Sequence, residues 1–233
     1  MFGKFLDVTS LTGKETEQDI VNLCYLAMKY EKYVAAVCIY PKWVKFISQY
    51  LKSTNIKVAT VLNFPEGNNE LKTVINTGNE AYDEGASEVD IVLPYTKSEN
   101  DIGGFLLGCD AELNPHLIKK YILETSELNS SQILTYSRMC MEHGGANFIK
   151  TSTGKKGPAT TEAVKLIAEQ IKDHYLYTDK KVGIKISGGV KTFQLAMEYW
   201  HIVRSVMQPN YMEDKYFRIG AGIEGSKHIL EHM

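Results

Sequence analysis

Several things are scarce in this chain, and each scarcity excludes something. Its four cysteines, Cys24, Cys38, Cys109 and Cys140, are scattered and form no Cys-x-x-Cys pair. That spacing suits reduced thiols in a cytoplasmic protein better than a disulfide frame or a zinc knot. No apolar run approaches the ~20 residues that cross a bilayer. The opening Met1-Phe2-Gly3-Lys4-Phe5-Leu6-Asp7 has no long apolar stretch ahead of a small-residue cleavage site, so neither a membrane partner nor an export signal is expected. Charge of one sign is missing too. The 26 Lys and Arg stand against 28 Asp and Glu, a formal net charge of −2, which is no field for holding nucleic acid. Pro, Gly and Ser never gather into a linker. What remains is a globular composition, 44% hydrophobic and 23% charged over 233 residues, long enough for one large domain or two small ones.

What is present is a recurrence. Short, nearly unbroken apolar runs lie at Phe5–Thr9, Val34–Tyr40, Lys57–Phe64, Glu88–Pro94, Lys119–Thr125, Ala146–Ser152, Val182–Ser187 and Tyr216–Gly222. Such runs read as strands buried on both faces of a parallel sheet. Between them, apolar residues spaced by three and four predict helices over Thr16–Tyr30, Asn69–Glu84, Ser131–His143, Thr160–Tyr175 and Thr192–Val206. Gly85 and Gly144-Gly145 follow helix ends, where a left-handed cap favours glycine. The segment Lys97–Pro115 reads only as a connection. Eight strand units in this length fit a single α/β domain over residues 1–233, a (β/α)8 TIM barrel. The rival is an open doubly wound sheet, but Phe5–Thr16 carries no Gly-x-Gly-x-x-Gly after the first strand.

Charge inside apolar strands is the informative anomaly: Asp7, Asp90, Lys120, Lys150 and Lys185 all interrupt such runs. Frayed strand ends or a structural Asp90–Lys185 pair would explain some of them. Burying two ammonium groups on adjacent strands is harder to explain away. A lysine attacks a carbonyl only as the free amine, and burial beside a second cation favours that form. Lys150, Lys185 and Asp90 therefore look like a Schiff-base site, although chemistry alone does not say which lysine is covalent. Three loops follow the last strands: Thr151-Ser152-Thr153-Gly154-Lys155, Ser187-Gly188-Gly189-Val190-Lys191-Thr192 and Gly220-Ala221-Gly222. Backbone N–H groups in such loops and at helix N-termini suit a phosphate, so the expected substrate is a phosphorylated carbonyl compound.

At these residues the sequence resembles the deoxyribose-phosphate aldolases, class I aldolases on a (β/α)8 barrel. The match is most specific in Gly145-Ala146-Asn147-Phe148-Ile149-Lys150-Thr151-Ser152-Thr153-Gly154 and Val182-Gly183-Ile184-Lys185-Ile186-Ser187-Gly188-Gly189-Val190. It extends to Val37-Cys38-Ile39-Tyr40-Pro41, Val58–Gly67 and Gly85-Ala86-Ser87-Glu88-Val89-Asp90. The resemblance implies that Lys150 forms the imine while Lys185 and Asp90 handle protons. It implies reversible cleavage of 2-deoxy-D-ribose 5-phosphate to D-glyceraldehyde 3-phosphate and acetaldehyde, in deoxyribonucleotide catabolism. No cofactor and no metal are expected, because the iminium is itself the electron sink. Asp7, Thr9, Cys38, Lys120 and Thr153 match positions lining the family's site, and Gly154, Lys155, Gly188, Gly189, Gly220 and Gly222 are expected at the phosphate. A homo-oligomer, dimer or tetramer, is the partner expectation besides the sugar or aldehyde substrate. The sequence departs from the family at Lys191, where arginine is common, and at Gly222-Ile223, where hydroxyl residues are common. It also ends at His232-Met233 without a tyrosine-bearing tail. A weaker phosphate grip after the eighth strand follows from the second departure, and slower turnover or another proton donor from the third. The alternatives are a Schiff-base barrel for another phosphorylated sugar and a non-catalytic phosphometabolite-binding barrel.

Overall fold

Alternating apolar strands and amphipathic helices bury their apolar faces against each other by winding into concentric layers. In the computed structural model, which describes residues 3–207 and 211–233, they do so eight times. Met1 and Phe2 of the opening run lie outside the described residues. In chain order the elements are β1 (Leu6–Ser10), α1 (Glu17–Lys29), β2 (Val34–Ile39), α2 (Val44–Leu51), β3 (Lys57–Leu62) and α3 (Leu71–Asp83). Then come β4 (Glu88–Val92), α4 (Glu99–Glu112), β5 (Ile118–Ile122), α5 (Ser130–His143) and β6 (Phe148–Lys150). Last are α6 (Thr161–Thr178), β7 (Gly183–Ser187), α7 (Phe193–Val206), β8 (Phe217–Gly222) and α8 (Ile223–Glu231). All strands run parallel in sequence order, and β8 pairs back onto β1, Leu6 opposite Ile219 and Asp7 opposite Gly220. The sheet is a closed (β/α)8 barrel, and the open-sheet rival is excluded.

Local chemistry starts the helices where the sequence places polar residues. The Thr16 side chain caps α1 and Asn129 caps α5, each in a reciprocal capping box with Asp19 or Gln132. Ser98, Thr160 and Thr192 cap α4, α6 and α7. On the strands, residues alternate between the helical shell and the barrel interior. Val37, Ile39, Val89, Ile91 and Ile149 join the main apolar core under the helices. The interior is divided. Ala36 and Cys38 of β2 and Ala59 and Val61 of β3 form a small apolar cluster of their own. The remaining strands fill the interior with charge.

Lys97–Pro115 is not merely a connection, since it contains α4. Ile102, Phe105, Leu106 and Cys109 are buried along one face, a helical spacing masked by Gly103-Gly104 and the exposed Leu107. The short helices α2 and α8 are also absent from the helices that the apolar spacing predicts. In contrast, β5 is shorter than the run Lys119–Thr125, because the chain turns at Glu124 with φ of 61°. The α4 phase gives a direct check. Leu106 is fully buried and Leu107 is 57% exposed. Leu106→Ala should therefore destabilise by roughly 2–5 kcal/mol and Leu107→Ala by less than about 0.5 kcal/mol, read from urea denaturation.

Candidate active site

Period-two alternation brings seven charged side chains from six strands into the barrel interior. Asp90 lies at the centre. Its Oδ2 accepts from Lys150 Nζ and Lys185 Nζ, each at 2.7 Å, and its Oδ1 accepts from Lys120 Nζ at 2.8 Å. Lys120 also pairs with Glu88 Oε2 at 2.7 Å. Arg218 spans the barrel, donating from Nη2 to Glu88 Oε1 at 3.0 Å and from Nη1 to Asp7 Oδ1 at 2.8 Å. Asp7 Oδ2 in turn meets Lys185 Nζ at 2.6 Å. The contacts close a ring of six groups with alternating sign, Asp90, Lys120, Glu88, Arg218, Asp7 and Lys185. Lys150 is a seventh group, attached through Asp90 alone.

That arrangement separates the two lysines. Burial opposes the ammonium form of both. In Lys150 burial prevails, aided by the nearby Lys185 charge, and its pKa falls despite Asp90. In Lys185 burial is outweighed by Asp7 and Asp90, and the pKa rises. Lys120 is raised the same way by Asp90 and Glu88. Burial alone would raise the Asp90 carboxyl, but Lys120, Lys150 and Lys185 hold it well below the usual range. Asp7 and Glu88 are likewise lowered against their burial, by Lys185 and Arg218 and by Lys120 and Arg218 respectively.

Above the ring opens a cavity of about 680 Å³ at the C-terminal ends of β6, β7, β8 and β1. Of the seven charged groups, Lys150 alone lines it. The opposite wall is loop backbone. Gly154, Gly188 and Gly189 all have positive φ, and a Cβ on Gly188 would meet Gly157 O at 2.9 Å, so only glycine fits that turn. Gly222 is different: its φ is −65° and a Cβ there would meet nothing within 4 Å. It precedes α8 without a side-chain cap, and uncapped first-turn N–H groups of this kind are able to bind an anion. A lysine whose ammonium form burial disfavours, on the floor of a cavity walled by glycine-rich loops, has the chemistry to take a small carbonyl compound that carries an anionic group.

The family model for the DeoC/LacD aldolases matches residues 4–205. The chain belongs to this aldolase family. A candidate deoxyribose-phosphate aldolase from Coccidioides immitis is similar at 28% identity, over 99% of this chain and 84% of that one, with a TM-score of 0.84. Another, from Toxoplasma gondii ME49, is 25% identical over 98% and 91%, with a TM-score of 0.89. The tetrameric deoxyribose phosphate aldolase of Aeropyrum pernix, 21% identical over 97% and 88% with a TM-score of 0.79, shares the fold.

Within this aldolase, Lys150, Thr9, Thr153, Gly154, Lys155, Gly188, Gly189, Gly220 and Gly222 line the cavity. Asp7, Cys38 and Lys120, expected to line it, lie beneath its floor instead, because the ion ring holds both charged groups and Cys38 packs behind Asp90. The Cys38 Sγ is 3.8 Å from Asp90 Oδ2, and burial raises its thiol to about 11, so it is neither ionised nor exposed at neutral pH. Lys155 does not point freely at a ligand, since its Nζ donates to Leu11 O at 2.6 Å. Four groups escaped the sequence reading. Arg218 interrupts an apolar strand just as Lys185 does, so the same signal was present. Glu88 heads its run and reads as a strand end. Glu124, buried at the turn after β5, accepts a bond from Thr153 Oγ1 and is raised by burial. His228 of α8 reaches the cavity with Nδ1 accepting from Phe193 N at 3.2 Å, a contact no spacing announces.

The lowered carboxyls have a consequence for stability. Asp7, Glu88 and Asp90 titrate lower folded than unfolded. Their contribution is complete above about pH 5 and is lost as the pH falls through their folded values. Urea midpoints should stay level from pH 7 to about 5 and decline toward pH 3; a level profile down to pH 3 would contradict this linkage.

Proposed function

We propose that this aldolase reversibly cleaves 2-deoxy-D-ribose 5-phosphate to D-glyceraldehyde 3-phosphate and acetaldehyde through a Schiff base on Lys150. One observation carries the reading: the lysine whose free amine burial favours is also the ring-associated group that reaches the cavity. The phosphate would sit against the loop backbone at Gly188-Gly189 and the first turn of α8, which directs the aldehyde end toward β6.

Lys150 Nζ adds to C1 of the open-chain sugar, and the carbinolamine loses water to give the iminium. Lys185 and Lys120 are held protonated at Asp90, so protons are available beside the reacting carbon. Asp90, through water, takes the proton of the C3 hydroxyl. The C2–C3 bond breaks, its electron pair moves into the iminium, and C3 leaves as the new aldehyde carbon. The resulting enamine regains a proton at C2, and water releases acetaldehyde and the Lys150 amine. The low polarity of a buried site strengthens each charged contact made along the way. The chain is expected to work as a dimer or tetramer, a reading supported by its likeness to a tetrameric barrel.

Borohydride reduction during turnover tests the proposal. The expected result is a stable adduct whose mass maps to Lys150. Absence of any adduct under turnover conditions would favour a barrel that only binds phosphometabolites, and product analysis with other sugar phosphates separates a different aldolase. Lys150→Ala should abolish both adduct and cleavage. Asp90→Asn should still form some adduct while cleavage falls roughly 10²–10⁴-fold; full activity in either variant overturns the role given to that residue.

A further inference from the structure

The ring has a property that its individual contacts do not reveal. Its six members, three carboxylates and three cations, sum to zero, and Lys150 is the odd group attached to it. As an ammonium, Lys150 would be an uncompensated charge in the barrel interior. As an amine, it leaves the interior neutral. Arg218 anchors this count, because a guanidinium does not deprotonate, and its two arms hold Asp7 and Glu88 from opposite sides. Neither Arg218 nor Glu88 lines the cavity.

We propose that Arg218 and Glu88 are positioning residues that set the charge parity of the buried ring, and through it the pH at which Lys150 becomes a free amine. The other groups packed around Lys150 do not supply this control. Asp90 on β4 is its direct partner, while Lys185 on β7 and Lys120 on β5 are already matched with carboxylates. Asp7 on β1 is shared between Lys185 and Arg218. Cys38 on β2 is a neutral thiol, and β3 presents Ala59 and Val61. Glu124, after β5, is bound to Thr153 and raised by burial.

Parity predicts shifts of opposite sign. Arg218→Met leaves the ring with one excess carboxylate, so Lys150 retains its proton to higher pH. Glu88→Gln leaves one excess cation, so Lys150 loses its proton at lower pH. The double variant removes one charge of each sign and restores the original count. Nearby charges move such titrations by about one pH unit or more.

The inference rests on the Schiff-base reading, and the experiment separates the two. Each protein is incubated with acetaldehyde and cyanoborohydride across a pH series, and the adduct at Lys150 is quantified by peptide mass. Lysine and the aldehyde join with loss of water, and hydride from the reagent reduces the iminium to a stable N-ethyl amine. We expect the midpoint of adduct formation to rise in Arg218→Met, to fall in Glu88→Gln, and to return to the original value in the double variant. Arg218→Lys, which keeps the charge, should leave the midpoint nearly unmoved. No Lys150 adduct in the unaltered protein sinks the Schiff-base reading itself. An adduct whose midpoint shifts the same way in both single variants, or drifts further in the double variant, overturns the parity proposal alone. Should Arg218→Met fail to fold, Glu88→Gln against the double variant carries the same signs.

Discussion

One buried carboxylate, Asp90, receives three lysine Nζ groups at 2.7–2.8 Å, and much of the barrel interior is arranged around that crowding. Charges this deep persist only when each is matched. The demand reaches across strands: Glu88 answers Lys120, Asp7 answers Lys185, and Arg218 joins the two carboxylates. Such a ring needs side chains from β1, β4, β5, β7 and β8 at compatible heights. A closed parallel sheet with fixed register supplies them. An open sheet would leave β1 and β8 at opposite edges, and the Arg218–Asp7 pair could not form.

The ring also explains how one lysine is set apart without changing its residue type. Lys150 and Lys185 are register partners on neighbouring strands and nearly equally buried. They differ in carboxylate count: Lys185 has two, and Lys150 has a share of one. Burial therefore wins at Lys150 and loses at Lys185. Because the matched ring lies under the cavity floor, Lys150 is the part of the network that faces the cavity. The glycine-rich loops complete the proposed division of labour, in which backbone N–H groups and a helix end would take a phosphate while the charged side chains stay committed below.

Much of this was legible beforehand. Eight apolar runs with helical segments between five pairs of them implied the barrel, because buried parallel strands leave no polar alternation to confuse them with others. Lys150, Lys185 and Asp90 stand out as charges inside core strands, and the structure brings the three into contact in the barrel interior. Arg218 carries the same mark inside Phe217-Arg218-Ile219, whereas Glu88 is hidden at the head of its run. The α4 helix was obscured by two glycines and an exposed leucine, although its buried residues keep helical spacing. In each case the local pattern was diluted, and packing against the barrel decided the outcome.

The sequence by itself determined the fold type, the period that turns those charges inward, and the family resemblance that singled out Lys150. These follow from local composition and spacing, which tertiary contacts only reinforce. Which lysine burial pushes toward the neutral amine, which groups line the cavity and which lie beneath it, and the even count of the ring came from tertiary structure alone. The reason is that a buried charge is governed by partners far away along the chain. Arg218 and Asp7 are 211 residues apart, and only closure of the barrel makes them neighbours.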